Sequence, residues 1–120
     1  MPQDIDIQDL LIWAFRNQSV ETRSNPGGDA LTVYWTVLAL PPPHAAMIQR
    51  FAREGRRPDW HAGRNRCVSL EGVRRSRRIY TEWVRTLMVL QRVLAGTLEN
   101  YRVTGPDLEE QPWVAERLRA

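Results

Sequence analysis

There is no lysine in this chain: all 17 of its basic residues are arginine. Composition alone leaves two readings open. One is the coding bias of a GC-rich genome. The other is a use of guanidinium for forked contacts to phosphate or carboxylate, which an ammonium cannot make. Cysteine is nearly missing as well. Cys67 is the single one, so no intrachain disulfide can form and nothing points to a disulfide-stapled secreted domain. Long apolar runs are lacking too. The longest, residues 33–40, is interrupted by Thr36 and stopped by Pro41-Pro42-Pro43, far short of the ~20 residues that span a bilayer. The N-terminal stretch MPQDIDIQDL is acidic, whereas a secretory signal needs a basic start and an apolar centre. The expectations are a cytoplasmic location and no membrane partner.

Signatures of catalysis and of metal binding are also missing. His44, His61 and Cys67 contain no close pair of ligands, and zinc sites usually draw four ligands from such pairs. Gly27-Gly28 lacks the lysine and the flanking pattern of a phosphate loop. Cys67 and His61 have no evident third group to orient them for nucleophilic chemistry. Glu109 and Glu110 stand in a proline-flanked stretch and read as solvated. The expectations are therefore no enzymatic activity, no catalytic residue, no metal and no cofactor.

What is present is an ordinary globular balance. The chain has 120 residues, 42% hydrophobic and 26% charged, which suits one domain over 1–120 with a single core. Charge is distributed unevenly. Residues 1–49 carry two arginines and five acids, residues 50–78 ten arginines and three acids, and residues 79–120 five arginines and six acids. The middle segment is thus +7 against −3 and −1 on either side, an asymmetry that suits an anionic partner.

A first helix is expected over about 4–20, capped by Asp4 or Asp6, with Ile7, Leu10, Leu11 and Ala14 on one apolar face. Ser24-Asn25-Pro26-Gly27-Gly28 breaks it. Residues 30–40 are ambiguous. Thr32 to Val37 favour a strand by propensity, but no second strand is evident to pair with it. Asp29 is a good helix cap, and Leu31, Trp35 and Leu38 recur at helical spacing. Context favours a helix. Prolines 41–43 end it and can open a third helix, which Gly55 stops after Arg53.

Residues 56–67 read as a loop, and Ser69 can cap the longest element. From Val73, the positions Ser76, Tyr80, Trp83, Leu87, Leu90, Leu94, Thr97 and Tyr101 alternate steps of three and four, a heptad pattern. It predicts a helix over about 70–102, roughly 50 Å long at ~1.5 Å per residue, unless Gly72 or Gly96 divides it. A helix of that length should protrude or pack on another chain. Tyr80, Trp83, Leu87, Leu90 and Leu94 are therefore the expected interface of a homo-oligomer. Gly105-Pro106 ends the helix, and residues 106–120 form a loosely packed tail in which a short helix can follow Pro112. Of the five tryptophans, Trp13, Trp35 and Trp83 are expected in the core, while Trp60 and Trp113 pack irregular segments onto the body. The fold class is all-α: a small helical domain with one long C-terminal helix.

The arginines supply the candidate binding surface. Arg74, Arg78, Arg85 and Arg92 lie four and seven apart, so one helix carries them as a stripe. Arg75 and Arg77 widen its start, and Arg56, Arg57, Arg64 and Arg66 precede it. A helix start rich in arginine suits phosphates. The candidate nucleic-acid contacts are thus Arg56, Arg57, Arg64, Arg66, Arg74, Arg75, Arg77 and Arg78, with duplex DNA as partner. The competing expectation is a helical interaction or oligomerisation module whose arginines are solvated or meet an acidic protein.

Leu38-Ala39-Leu40-Pro41-Pro42, followed by a helix that ends Arg53-Glu54-Gly55, resembles the start of region 4 of bacterial sigma factors. That resemblance implies a helix-turn-helix reading promoter DNA, with VSLEGVRRSRRIYTEW in the place of the recognition helix. RRPDWHAGRNRC stands where the family has an intervening helix. The stretches QDLLIWAFR, REGRRPDW and VTGP…PW also resemble small helical proteins of prophages in GC-rich bacteria. The second resemblance implies no activity of its own; with the arginine surface, the first expectation is a small DNA-binding accessory or regulatory protein of a phage or mobile element.

Overall fold

The computed structural model describes residues 2–21, 27–60 and 69–119. The chain begins in a strand rather than a helix: β1 spans Gln3–Asp6. It pairs in parallel with β2, Tyr101–Thr104, in the register Gln3↔Tyr101 to Asp6↔Thr104. The fold is therefore mostly helical with a small two-stranded sheet, a correction to the all-α expectation. Two strands alone are marginal in water, and this pair is held from both faces. On one face Val103 is buried and Ile5 packs against the core. On the other, Arg102 grips Asp4 with two hydrogen bonds, Nε to Oδ1 at 2.7 Å and Nη2 to Oδ2 at 2.8 Å.

Asp6 then caps α1, Ile7–Ile12, its carboxylate accepting from the Gln8 N–H at 2.8 Å. The helix continues as a π-helical turn over Trp13–Asn17. Helix α2 covers Gly28–Leu38, so burial decided the ambiguous segment. Ala30, Val33 and Val37 go into the core at helical spacing, while Thr32 and Thr36 return their hydroxyls to the Gly28 and Thr32 carbonyls. Asp29 does not cap this helix. It is buried in the first turn, and its carboxylate accepts from the N–H groups of Glu99 and Asn100, both at 2.9 Å.

Helix α3, Pro42–Glu54, opens on proline and ends at Gly55, whose φ of 67° is the left-handed geometry of a glycine stop. Helix α4, Leu70–Leu94, starts as expected: Ser69 Oγ accepts from the Gly72 N–H at 3.1 Å. It ends at Leu94, short of the expected 102. Gly96 turns the chain at a φ of 77°, Asp29 captures the next turn, and residues 101–104 leave as β2. After Gly105 the chain returns along α4. Thr81 donates its hydroxyl to the Glu110 carbonyl at 2.9 Å, and Leu108 and Trp113 pack against the core. The segment expected to be a loose tail is thus docked, and it closes in α5, Pro112–Arg119.

The core explains why the heptad pattern misled. Tyr80, Trp83, Leu87, Leu90 and Leu94 are each at most 4% exposed within one chain, in one cluster with Ile7, Leu10, Val33, Ile48 and Phe51. The expected oligomer interface is therefore the inner face of the monomer. A stripe of apolar residues records that a helix buries one side, whichever neighbour covers it. Trp35 is corrected in the opposite sense: expected in the core, it is 61% exposed.

Candidate nucleic-acid interface

The first ten residues of α4, from Leu70 to Ile79, include none that is buried; burial begins at Tyr80. The molecule measures 46 Å along its longest axis, with a radius of gyration of 15.7 Å, above the ~13 Å of a compact domain of about 100 residues. Arginine, leucine and glutamate are good helix formers, and the Ser69 cap with Glu71 in the first turn suits the positive end of the helix dipole. This stretch therefore stays helical with little burial, Ile79 alone of its apolar residues packing against the core.

Arg74, Arg75 and Arg78 are exposed there, and among the described residues none has an acidic partner. Arg92 is exposed and unpaired as well among the described residues, whereas five other arginines are held by acids. Arg50 and Arg56 pair with Glu54, Arg53 with Glu21, Arg85 with Glu110, and Arg102 with Asp4. Arg77 is half-buried. Its guanidinium carbon lies 5.3 Å from the Trp113 ring centre, and its Nε is buried without a hydrogen-bond partner. Trp113 in turn packs against Trp60 at 5.8 Å and Tyr80 at 6.3 Å. Trp60 thus fastens an irregular segment to the body, as expected, whereas Trp113 does so from the first turn of α5. Burial pushes the Tyr80 phenol above its ordinary value of 10.0, against the opposing charge of Arg57.

The eight expected contacts divide accordingly. Arg74, Arg75 and Arg78 form one free cluster, and Arg77 borders it. Arg56 is drawn back over the Phe51 ring, 5.0 Å from its centre, and pairs with Glu54 at 2.8 Å. Arg57 donates from Nε to Gln8 Oε1 at 3.1 Å. Arg64 and Arg66 lie outside the described residues, as do His61 and Cys67. Reading the sequence missed the cleft beside the cluster, an open groove of about 310 Å³ bordered by Arg77, Arg78, Thr81, Glu82, Arg85, Gln111 and Trp113. Its only trace in the sequence was the charge of the middle segment, because Gln111 and Trp113 reach α4 only through the returning chain.

No family model, curated protein or solved structure matches this chain. Among the described residues, no cluster of three His, Cys, Asp or Glu could hold a metal ion, and no helix is long and apolar enough to cross a membrane.

Proposed function

We propose that this chain is a small nucleic-acid-binding protein that docks on duplex DNA through the first three turns of α4. One observation carries the reading: Arg74, Arg75 and Arg78 stand unpaired on a helical stretch that contributes no buried residue. Three free guanidinium groups within about one helical turn form a concentrated positive end, and phosphates are its natural ligands. Arg77, held against Trp113, supplies a fourth charge at the border. The resemblance to region 4 of sigma factors, and to small prophage proteins, directs this reading towards an accessory or regulatory role.

The test is a salt titration on random duplex DNA. Each neutralised phosphate contributes about −0.9 to the slope of log affinity against log salt, so three or four contacts predict a slope of roughly −3 to −4. Changing Arg74, Arg75 and Arg78 together to Gln should flatten that slope by about 2.7 and leave the circular dichroism spectrum unchanged. Absence of wild-type binding at ~50 mM salt and ~10 μM protein would retire the reading, because non-specific DNA binders typically reach about 10⁻⁴ to 10⁻⁶ M even at physiological salt. The alternative, a helical interaction module, is favoured by a separate feature: the exposed apolar strip that includes Trp35, Val89 and Val93.

A further inference from the structure

Helix α4 has a second face. Opposite its buried seam it exposes Glu82, Arg85, Val89, Arg92 and Val93. Beside them runs the outer stripe of α2, Leu31, Trp35 and Leu38, spaced by four and three. Trp35 is 61% exposed, Val93 54% and Val89 47%. Two open grooves follow this face. One, of about 570 Å³, lies between Trp35, Ala39 and Val93, and the other, of about 370 Å³, lies between Pro41, His44 and Val89. Leu40 borders both, so they form one trough.

Of the exposed apolar residues, Trp35, Val89 and Val93 line the trough and present together roughly 300 Å², the lower end of the largest patch a monomer leaves bare. That is somewhat over a third of the ~800 Å² each partner contributes to a standard interface, and the half-buried walls of the trough, with Leu31 and Leu38 beside it, add to it. The charges along α4 indicate what covers this surface. Arg85 is already neutralised by Glu110. Glu82 and Arg92 are exposed and have no charged partner among the described residues. They are ten residues apart, about 15 Å along the axis, with Val89 between them. Arg78 stands one turn outside Glu82; between Glu82 and Arg92, with Arg85 neutralised, the strip is negative at one end, apolar in the middle and positive at the other, and complements itself when turned end for end. That is the condition for an isologous twofold contact.

We infer that a second copy of this chain docks on the trough, α4 against α4 in antiparallel orientation, each copy's Glu82 facing its mate's Arg92 and the two Trp35 side chains covered. This dimer does not depend on nucleic-acid binding, and its interface is the face of α4 opposite the heptad seam.

Sedimentation equilibrium tests it. Wild type should rise from 14.0 kDa towards twice that mass as concentration increases. Val93→Glu should stay at the monomer mass with an unchanged circular dichroism spectrum. Glu82→Arg and Arg92→Glu should each weaken association about tenfold, because each turns two exposed attractions into repulsions. The double exchange, Glu82→Arg with Arg92→Glu, should restore wild-type affinity. A wild-type monomer at ~100 μM, an affinity worth less than about 6 kcal/mol, would overturn the proposal. So would a double exchange that restores nothing, because the antiparallel pairing of these two charges is what the proposal asserts.

Discussion

Replacing Asp29 with alanine removes the carboxylate that joins the start of α2 to the turn leading into β2. In the folded chain Asp29 is 7% exposed, and its two oxygens accept from the Glu99 and Asn100 N–H groups at 2.9 Å each. A hydrogen bond to a charged group is worth about 1.5–3 kcal/mol. Glu99 and Asn100 are themselves exposed, so water can satisfy part of what the alanine abandons, which sets the expected loss at about 2–4 kcal/mol. Against a typical total of about 5–15 kcal/mol, that is a large fraction. With a urea slope of about 1–3 kcal/mol/M, the unfolding midpoint should fall by roughly 1–2 M with the slope unchanged. Asp29→Asn should lie between, because one amide oxygen can still accept while its NH₂ faces a donor. Amide exchange adds a local measurement: the Glu99 and Asn100 amides should lose protection in the alanine variant. A loss below ~0.5 kcal/mol, the range of ordinary surface substitutions, would refute the view that this carboxylate fixes the turn.

Two further predictions concern the seam and the sheet. Leu87→Ala should cost about 2–5 kcal/mol in a thermal or urea melt and leave the self-association constant of the folded protein unchanged. Lost association with little destabilisation would return the interface to the seam. Arg102 beside Asp4, through its hydrogen bonds and its charge, holds the Asp4 carboxyl below its ordinary value of 3.8. A carboxyl lowered by folding contributes stability above its unfolded pKa and loses it as pH falls through the folded one. Melting points taken from about pH 5 to pH 2 should therefore fall less steeply for Asp4→Asn than for wild type, and parallel curves would exclude the pair from the acid response.

The local signals in the sequence were those that depend on neighbours a few residues away. The Ser69 cap, the Gly55 stop, the proline opening of α3 and the periodicity of α4 all act within one or two helical turns, and each stands in the structure. What tertiary structure decided was the destination of each face. Gln3–Asp6 is too short to declare itself a strand, and its mate lies about a hundred residues away. Asp29 looked like a cap because nothing in the sequence brings Glu99 and Asn100 to it. The leucines of α4 were legible as a buried stripe, but an apolar stripe names no partner, and α1, α2 and α3 cover it within the same chain. The candidate site divides in the same way. The arginine density at the start of α4 could be read from the letters. Which arginines stay free depended on where Glu21, Glu54 and Glu110 come to lie, because an ion pair is a matter of distance in space and not along the chain.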